Sequence, residues 1–443
     1  MSQLDSTAPR RGRAGAGSDA AGARGLAARF VHPGVPRDLP LDASATVGRD
    51  ERCVVRLAGA GASRHHARFE QRGPVLLVED LRSRNGTFVD GRQLAPGERA
   101  AIEAGTVLRF GDDCAVVVPR SQAAEPTFRE LAPGIWGSEV LDAVVKPALR
   151  SAADRLPIVV CGPTGSGKER LARAVHVASG RPGAFVAVNC AAVPESLAES
   201  ELFGVRRGAF SGAVRDTDGV IRSAHLGTLL LDEVLDLPRS VQAKLLRAVD
   251  VGEVLPVGDT RVSEVDVRFI AAVQGSLDEA VAAGTFREDL AARLDGLRVA
   301  LPSLRDRRED VFPLFRMALE VAAAGRTAPD LEPEAIEALL VYDWPQNVRE
   351  LEQCARRAVA IAAGQAVSRA DLPAKILAGR AGPGQPRDAR PKSPRRDDLV
   401  AALTNADGVV SEAARALGLT RQKTYRLVEE YEVDLSQFRE RYP

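Results

Sequence analysis

GPTGSGKE, residues 162–169, decides the fold. It directly follows the apolar run IVVC (158–161) and leads into ERLARAVHVA (169–178), whose apolar positions recur at helical spacing. Strand, glycine-rich turn and helix in that order make a loop whose backbone N–H groups close around phosphates at a helix N-terminus. In this stretch Gly162, Gly165 and Gly167 let the backbone approach a ligand closely, with Pro163, Thr164 and Ser166 between them. Lys168 can reach the β and γ oxygens of a nucleoside triphosphate, while Glu169 stands where the strict pattern has a Ser or Thr for Mg²⁺.

Downstream, GTLLLDE (227–233) ends an apolar strand in two carboxylates. Asp232 suits Mg²⁺ and Glu233 can polarise an attacking water. From Ile135 to about Leu377 the strands IVVCG, AFVAVN, GTLLLDE and VDVRFIAAV alternate with helical patterns such as SVQAKLLRAV, which predicts a parallel α/β sheet. The later part of that span is helical only and reads as a lid.

On either side the chain changes character. Residues 1–28 are rich in Ala, Gly and Arg without apolar periodicity and are expected to be disordered. Residues 29–118 hold short runs such as VVRL, VLLVED, VLRF and CAVVV between Gly, Asn and Asp turns, the pattern of an all-β sandwich. Residues 119–134 read as a linker. A second linker, 378–396, carries six basic side chains against one acidic between Arg380 and Arg396, and 397–443 reads as a small all-α unit. The fold class is therefore multidomain: β-sandwich, α/β phosphate-loop domain with helical lid, then helices.

Composition limits the function classes. At roughly 150 residues per domain, 443 residues suit about three domains. Lys+Arg and Asp+Glu are 60 each, so whole-chain charge does not advertise nucleic acid. The five cysteines are scattered without a CxxC pair, against a disulfide framework or a zinc site. No apolar run approaches the ~18 residues of a membrane span and the start lacks the apolar core of a signal peptide, so a cytoplasmic protein without a membrane partner is expected.

Taken in order, GPTGSGKE, VNCAAVPESLAESELFG, RRGAFSGA, GTLLLDE, QAKLLRAVD, VDVRFIAA, FREDLAARL and WPQNVRELE resemble the AAA+ ATPase domain of bacterial enhancer-binding activators of sigma-54 RNA polymerase. The resemblance implies ATP and Mg²⁺ as cofactors, a homo-oligomeric, hexameric ring, and sigma-54 RNA polymerase as partner. It gives a role to GAFSGA (Gly208, Ala209, Phe210, Ser211, Gly212, Ala213), where neither helix nor strand periodicity explains the lone aromatic. There the family has a finger that rises on nucleotide cycling and presses its aromatic onto sigma-54. By the same resemblance Arg287 and Arg293 are trans-acting arginines completing a neighbour's site, Arg349 is the lid arginine sensing nucleotide in cis, and Asn189 is the switch residue that holds Glu233. Ser211 stands where the family usually has Thr. Gln274 replaces an Asn in the sensor segment AAVQ, which implies slower hydrolysis with intact binding.

TVGRDERCVVRL, SRHHARF and LRSRNGTFVDG resemble the forkhead-associated domain, a phosphothreonine reader. Arg49 and Arg64 offer charge-assisted bonds to phosphate, Ser63 a hydroxyl, Asn85 a hold on the peptide backbone, and Arg84 flanks the same loop. A phosphothreonine protein or peptide supplied by a Ser/Thr kinase pathway is the implied ligand, and His66 reads as a structural hydrogen-bonding residue. SEAARALGLTRQKTYRLVEEY (411–431) is similar to the Fis-type helix-turn-helix, implying upstream promoter DNA met by Thr420, Arg421, Gln422, Lys423 and Arg426. Two other functions stay open: a DNA-binding regulator whose ring is a weak ATPase or scaffold, and a ring that remodels another protein.

Overall fold

A computed structural model describes residues 25–31, 38–41, 44–73, 75–120, 128–209, 214–379 and 396–406, with Val410, Ala413, Thr424, Val428, Tyr431 and Val433 beyond. Phe210, Ser211, Gly212 and Ala213 lie outside the described residues, as do Thr420, Arg421, Gln422, Lys423 and Arg426. The chain divides into two units, 1–380 and 381–443.

The first unit begins with a β-sandwich. Its strands are β1 (Leu26–Phe30), β2 (Asp38–Pro40), β3 (Ser44–Gly48), β4 (Val55–Arg56), β5 (Ala67–Arg72), β6 (Val75–Asp80), β7 (Thr87–Val89), β8 (Arg92–Gln93), β9 (Arg99–Ile102), β10 (Val107–Phe110) and β11 (Asp113–Pro119). One sheet runs β2-β1-β11-β10-β7-β8 and the other β4-β3-β5-β6-β9. Every pairing is antiparallel except β3 with β4. Alternate residues of the two sheets face each other, and Phe30, Phe69, Leu108, Phe110, Ala115 and Val117 fill the space between. The Phe110 ring meets Phe69 edge-on, 6.2 Å between centroids, and His66 edge-on at 5.8 Å.

Two boundaries move from the expected places. Strand β1 starts at Leu26 and buries Ala27 and Ala28, so the expected disorder to residue 28 runs too far: pairing with β11 supplies the burial that local composition lacks. The expected linker also contains a strand, Arg129–Ala132, which pairs with Ile135–Gly137 and opens the next domain.

That domain holds a five-stranded parallel sheet in the order Phe185–Asn189, Thr228–Asp232, Arg268–Val273, Ile158–Cys161, Leu297–Ala300. Arg268–Val273 is buried along its whole length, as a central parallel strand covered on both faces should be. Its carboxyl end lies between those of the strands that carry the phosphate loop and Asp232, so three sequence-distant segments converge at one edge. The helical part follows: Val311–Ala323, Pro333–Val341, Asn347–Ala362 and Ala374–Leu377 pack around Trp344, which is fully buried and donates its indole N–H to Leu339 O at 2.9 Å.

The second unit contains the helix Arg396–Asn405, and Leu399, Leu403, Ala413 and Val428 share its apolar core. Thr424, also helical, is fully buried.

Phe110→Ala empties the centre of the sandwich and should cost about 3–5 kcal/mol of the N-terminal domain's stability, read as an earlier urea transition of that domain.

Candidate functional site

The phosphate loop continues the sheet before leaving it. Gly162 donates its N–H to Val273 O at 3.2 Å, and the helix Lys168–Ser179 then starts behind Gly167, which is left-handed at φ +106°. Lys168 is nearly buried, with Nζ donating to Gly162 O at 2.9 Å, and Ser166 Oγ is buried with no hydrogen-bond partner. Nucleotide phosphates suit this cradle, because they would give the ammonium and the orphaned hydroxyl the acceptors they lack.

The loop's outward carbonyls are held by the lid, which sequence reasoning missed. Asn347 is buried and left-handed at φ +51°. Its Nδ2 donates to Thr164 O at 2.9 Å, and its Oδ1 accepts from Leu304 N–H at 2.7 Å, where the segment entering the lid begins. Val348 N–H donates to Gly165 O at 3.1 Å. A Cβ on Gly165, itself at φ +74°, would fall 2.1 Å from Gln346 O, so the close approach requires glycine there.

A cavity of about 910 Å³ opens over the loop and brings Asn189, Asp232, Glu233 and Arg349 to its wall, with Trp136 and Leu314 on an apolar side. Asp232 Oδ1 accepts from Glu233 N–H at 3.1 Å, and Glu233 is held left-handed at φ +53°, a conformation that concentrates at working sites. Asn189 Oδ1 accepts from the N–H groups of Ala191 and Ala192 at 3.0 and 3.2 Å, so the carboxamide is seated in its own turn beside Glu233. Burial, with Asp232 adding, pushes the Cys190 thiol up to about 12, so it stays neutral there. Among the described residues no group of three or more His, Cys, Asp or Glu could hold a metal, and Asp232 is the carboxylate that would be offered to Mg²⁺ at the cavity wall.

Gln274 does face the loop, its Oε1 accepting from Thr164 Oγ1 at 3.0 Å. Arg287 and Arg293 do not line the cavity. Arg287 makes a two-pronged pair with Asp289 at 2.7 and 3.0 Å, and Arg293 meets Asp250 at 3.1 Å.

At the finger, Gly208 is left-handed at φ +84° and Ala209 N–H donates to Arg206 O. The finger's base is tied down: strands Gly204–Val205 and Thr217–Asp218 pair, Arg206 N–H donates to Val257 O at 3.0 Å, and Arg206 Nε donates to Asp259 Oδ2 at 2.7 Å.

In the sandwich, the five expected phosphate-site residues lie on three neighbouring loops. Ser63 Oγ accepts from Arg84 N–H at 2.9 Å, Ser63 O from Arg49 N–H at 3.0 Å, and Asn85 Nδ2 donates to Gly61 O at 2.8 Å. Arg49, Arg64, Arg84 and Asn85 are exposed. His66 is structural: fully buried, its Nδ1 accepts from Ser63 N–H at 3.0 Å, leaving Nε2–H to donate to Gly86 O at 3.0 Å.

Residues 135–300 match the sigma-54 interaction domain, 305–389 an AAA+ ATPase lid domain, and 45–111 the FHA domain. The chain is similar to the hydrogenase transcriptional regulatory protein HoxA of Cupriavidus necator, 42% identical over 63% of this chain and 61% of that protein. It is 44% identical to the pathogenicity locus probable regulatory protein HrpR of Pseudomonas syringae pv. syringae, over 53% of this chain and 77% of that one. The chain thus spans about three-fifths of HoxA's length. Among solved structures, NtrX from Brucella abortus in complex with ADP aligns at TM-score 0.52 and 31% identity, covering 68% of this chain and 70% of that one.

The Gln274 contact predicts that Gln274→Asn, one methylene shorter, releases Thr164 and raises ATP turnover with nucleotide affinity unchanged; steady-state hydrolysis and a fluorescent-ADP titration check both parts. Burial lowers the His66 pKa below 6.5, so the folded sandwich favours the neutral ring. That contribution is complete above about pH 6.5 and is lost as pH falls through the folded value. Thermal unfolding at pH 7.5 and 5.5 should show wild type losing its advantage over His66→Gln on acidification.

Proposed function

Because this chain belongs to the family of transcriptional regulators that carry a sigma-54 interaction domain, we propose that it is an ATP-dependent activator that remodels sigma-54 RNA polymerase at promoters. In this reading the cofactors are ATP and Mg²⁺. Lys168 and the loop amides bind the phosphates, Asp232 would hold the metal, and Asn189 holds Glu233 until the site is productive, when Glu233 orients the attacking water. Arg287 and Arg293 serve a neighbouring subunit's site in a hexameric ring. Arg293 is exposed and Arg287 half-buried, each in a surface ion pair that a phosphate could replace, which supports that.

One observation carries the reading: bonds tie the phosphate loop to the buried central strand, and the hairpin before that strand to the base of GAFSGA. Gln274 touches the phosphate loop at the end of the buried strand Arg268–Val273. Val257 and Asp259, in the hairpin that precedes that strand in the chain, are bonded to Arg206 at the base of GAFSGA. In this reading a displacement at Thr164 is passed along the sheet to the base of GAFSGA, whose aromatic Phe210 is proposed to press on sigma-54.

The N-terminal domain would supply the input, binding a phosphothreonine peptide through Arg49, Ser63, Arg64, Arg84 and Asn85. Upstream DNA would be met by Thr420, Arg421, Gln422, Lys423 and Arg426 of a Fis-type helix-turn-helix. A second reading, a weakly hydrolysing ring used as a scaffold, is favoured by the Thr164–Gln274 bond, which engages the sensor amide before any nucleotide does.

Transcription in vitro from a sigma-54 promoter is the test. Wild type with ATP should open the promoter, and Phe210→Ala should abolish opening while ATP turnover stays within about twofold. Equal opening by both proteins would reject the finger's role, and weak turnover without opening by wild type would leave the scaffold reading.

A further inference from the structure

Strand β11 is buried from Asp113 to Val118 on both of its faces, although a sandwich strand needs only one face covered. Ala115 and Val117 point into the sandwich core, whereas Cys114, Val116 and Val118 join the core of the lid. The neighbouring strands repeat the split. On β10, Leu108 and Phe110 face inward while Val107 and Arg109 face the lid; on β1, Ala28 and Phe30 face inward while Ala27 packs with the lid cluster.

Two charged contacts pin this outer face at separate points. Arg109, with its guanidinium 3.6 Å over the Phe88 ring, donates Nε to Glu337 Oε2 at 2.9 Å and Nη1 to Glu334 Oε1 at 3.3 Å, both on the lid helix Pro333–Val341. Arg109 and Glu337 side chains are 7% and 4% exposed, so the pair is shut off from water. Cys114 Sγ donates to Pro333 O on the same helix. The second point is Arg29, 3.9 Å from Glu309 in the segment entering the lid. Glu309 also accepts from Ser138 Oγ at 3.1 Å, and Ser138 N–H donates to Asp310 at 2.9 Å, at the start of the α/β core. Asp310 pairs in turn with Arg307, which lines the nucleotide cavity.

We propose that the outer face of the forkhead-associated sheet is a docking surface whose partner is this chain's own lid and lid entrance, and that it acts as a brace restraining ATP turnover. The sheet holds the lid helix at Glu337 and the lid–core junction at Glu309. A rigid body fixed at two points across a hinge opposes rotation at that hinge. The lid carries Asn347 and Arg349, the groups that grip the phosphate loop and border the cavity, so their movement is what the brace opposes. Burial raises the Glu337 pKa and Arg109 works against that rise, which places the carboxylate's ionisation in the hands of the docked partner.

This inference rests on the N-terminal domain being the regulatory input, and the experiment separates the two. ATP turnover of the full chain is compared for wild type, Arg109→Ala, Glu337→Gln, and the exchanged pair Arg109→Glu with Glu337→Arg, each confirmed folded by its thermal transition. The expected result is turnover at least about fivefold above wild type in both single variants and a return toward wild type in the exchanged pair. Unchanged or reduced turnover in the folded single variants overturns the brace. A phosphothreonine peptide titrated into wild type forms the other arm. If it binds in no nucleotide state, the phosphothreonine input falls while the brace is still decided by the variants; if it binds with the same affinity with and without ADP, the coupling is overturned, since linked sites must respond reciprocally.

Discussion

Everything about the nucleotide site follows from a problem that any phosphate loop must solve. When successive N–H groups turn inward to meet phosphates, the carbonyls of the same peptides turn outward, and in a buried loop they too need partners. Here the partners for Thr164 and Gly165 come from the lid, through Asn347 and Val348. The loop is thus built by two subdomains, and lid rotation and loop geometry cannot change independently. Asn347 accepts a left-handed backbone for this purpose, a strain that its side chain offsets by bonding both Thr164 and the lid entrance at Leu304.

The α/β core turns that constraint outward. The strand Arg268–Val273 is apolar, parallel and paired on both sides, so it moves as a piece with its neighbours. One end presents Gln274 to Thr164, and the other is reached through the loop that carries Asp259. The base of the GAFSGA segment is held by an ion pair and two backbone hydrogen bonds, and Gly208 is left-handed. A stiff root below a glycine joint suits the moving contact element proposed for this segment.

Much of this was legible in the chain itself, for a physical reason: chemistry carried by contiguous residues leaves a contiguous signal. GPTGSGKE and GTLLLDE each combine strand, turn and polar groups within eight residues, and the structure brings both to one cavity. The loops at Arg49, Ser63 and Asn85 were readable on the same basis. Asn347 was not, because a left-handed Asn in PQNVRE looks like an ordinary helix start and its partner lies 183 positions away. Pairing with a distant strand also explains β1, where Ala27 and Ala28 offer no local periodicity and β11 provides the burial. The roles proposed for Arg287 and Arg293 need a second subunit, and a single chain shows only their surface ion pairs.

CAVVV held a further signal that composition alone could not place. In an antiparallel sandwich with one wet face, alternate positions should be polar, and five apolar residues in succession mean that the second face is covered too. What the run could not tell was the chemistry of the cover. Val107, Val116 and Val118 join sandwich and lid in one apolar core. Within that contact Arg109 and Arg29 are each set against a carboxylate of the other domain. Such charges regain water when the surfaces part, whereas exposed valines would not, so their presence lowers the cost of separation more than it strengthens the union. A contact composed this way is fixed in one arrangement by its charge pairs, while its apolar part opposes separation.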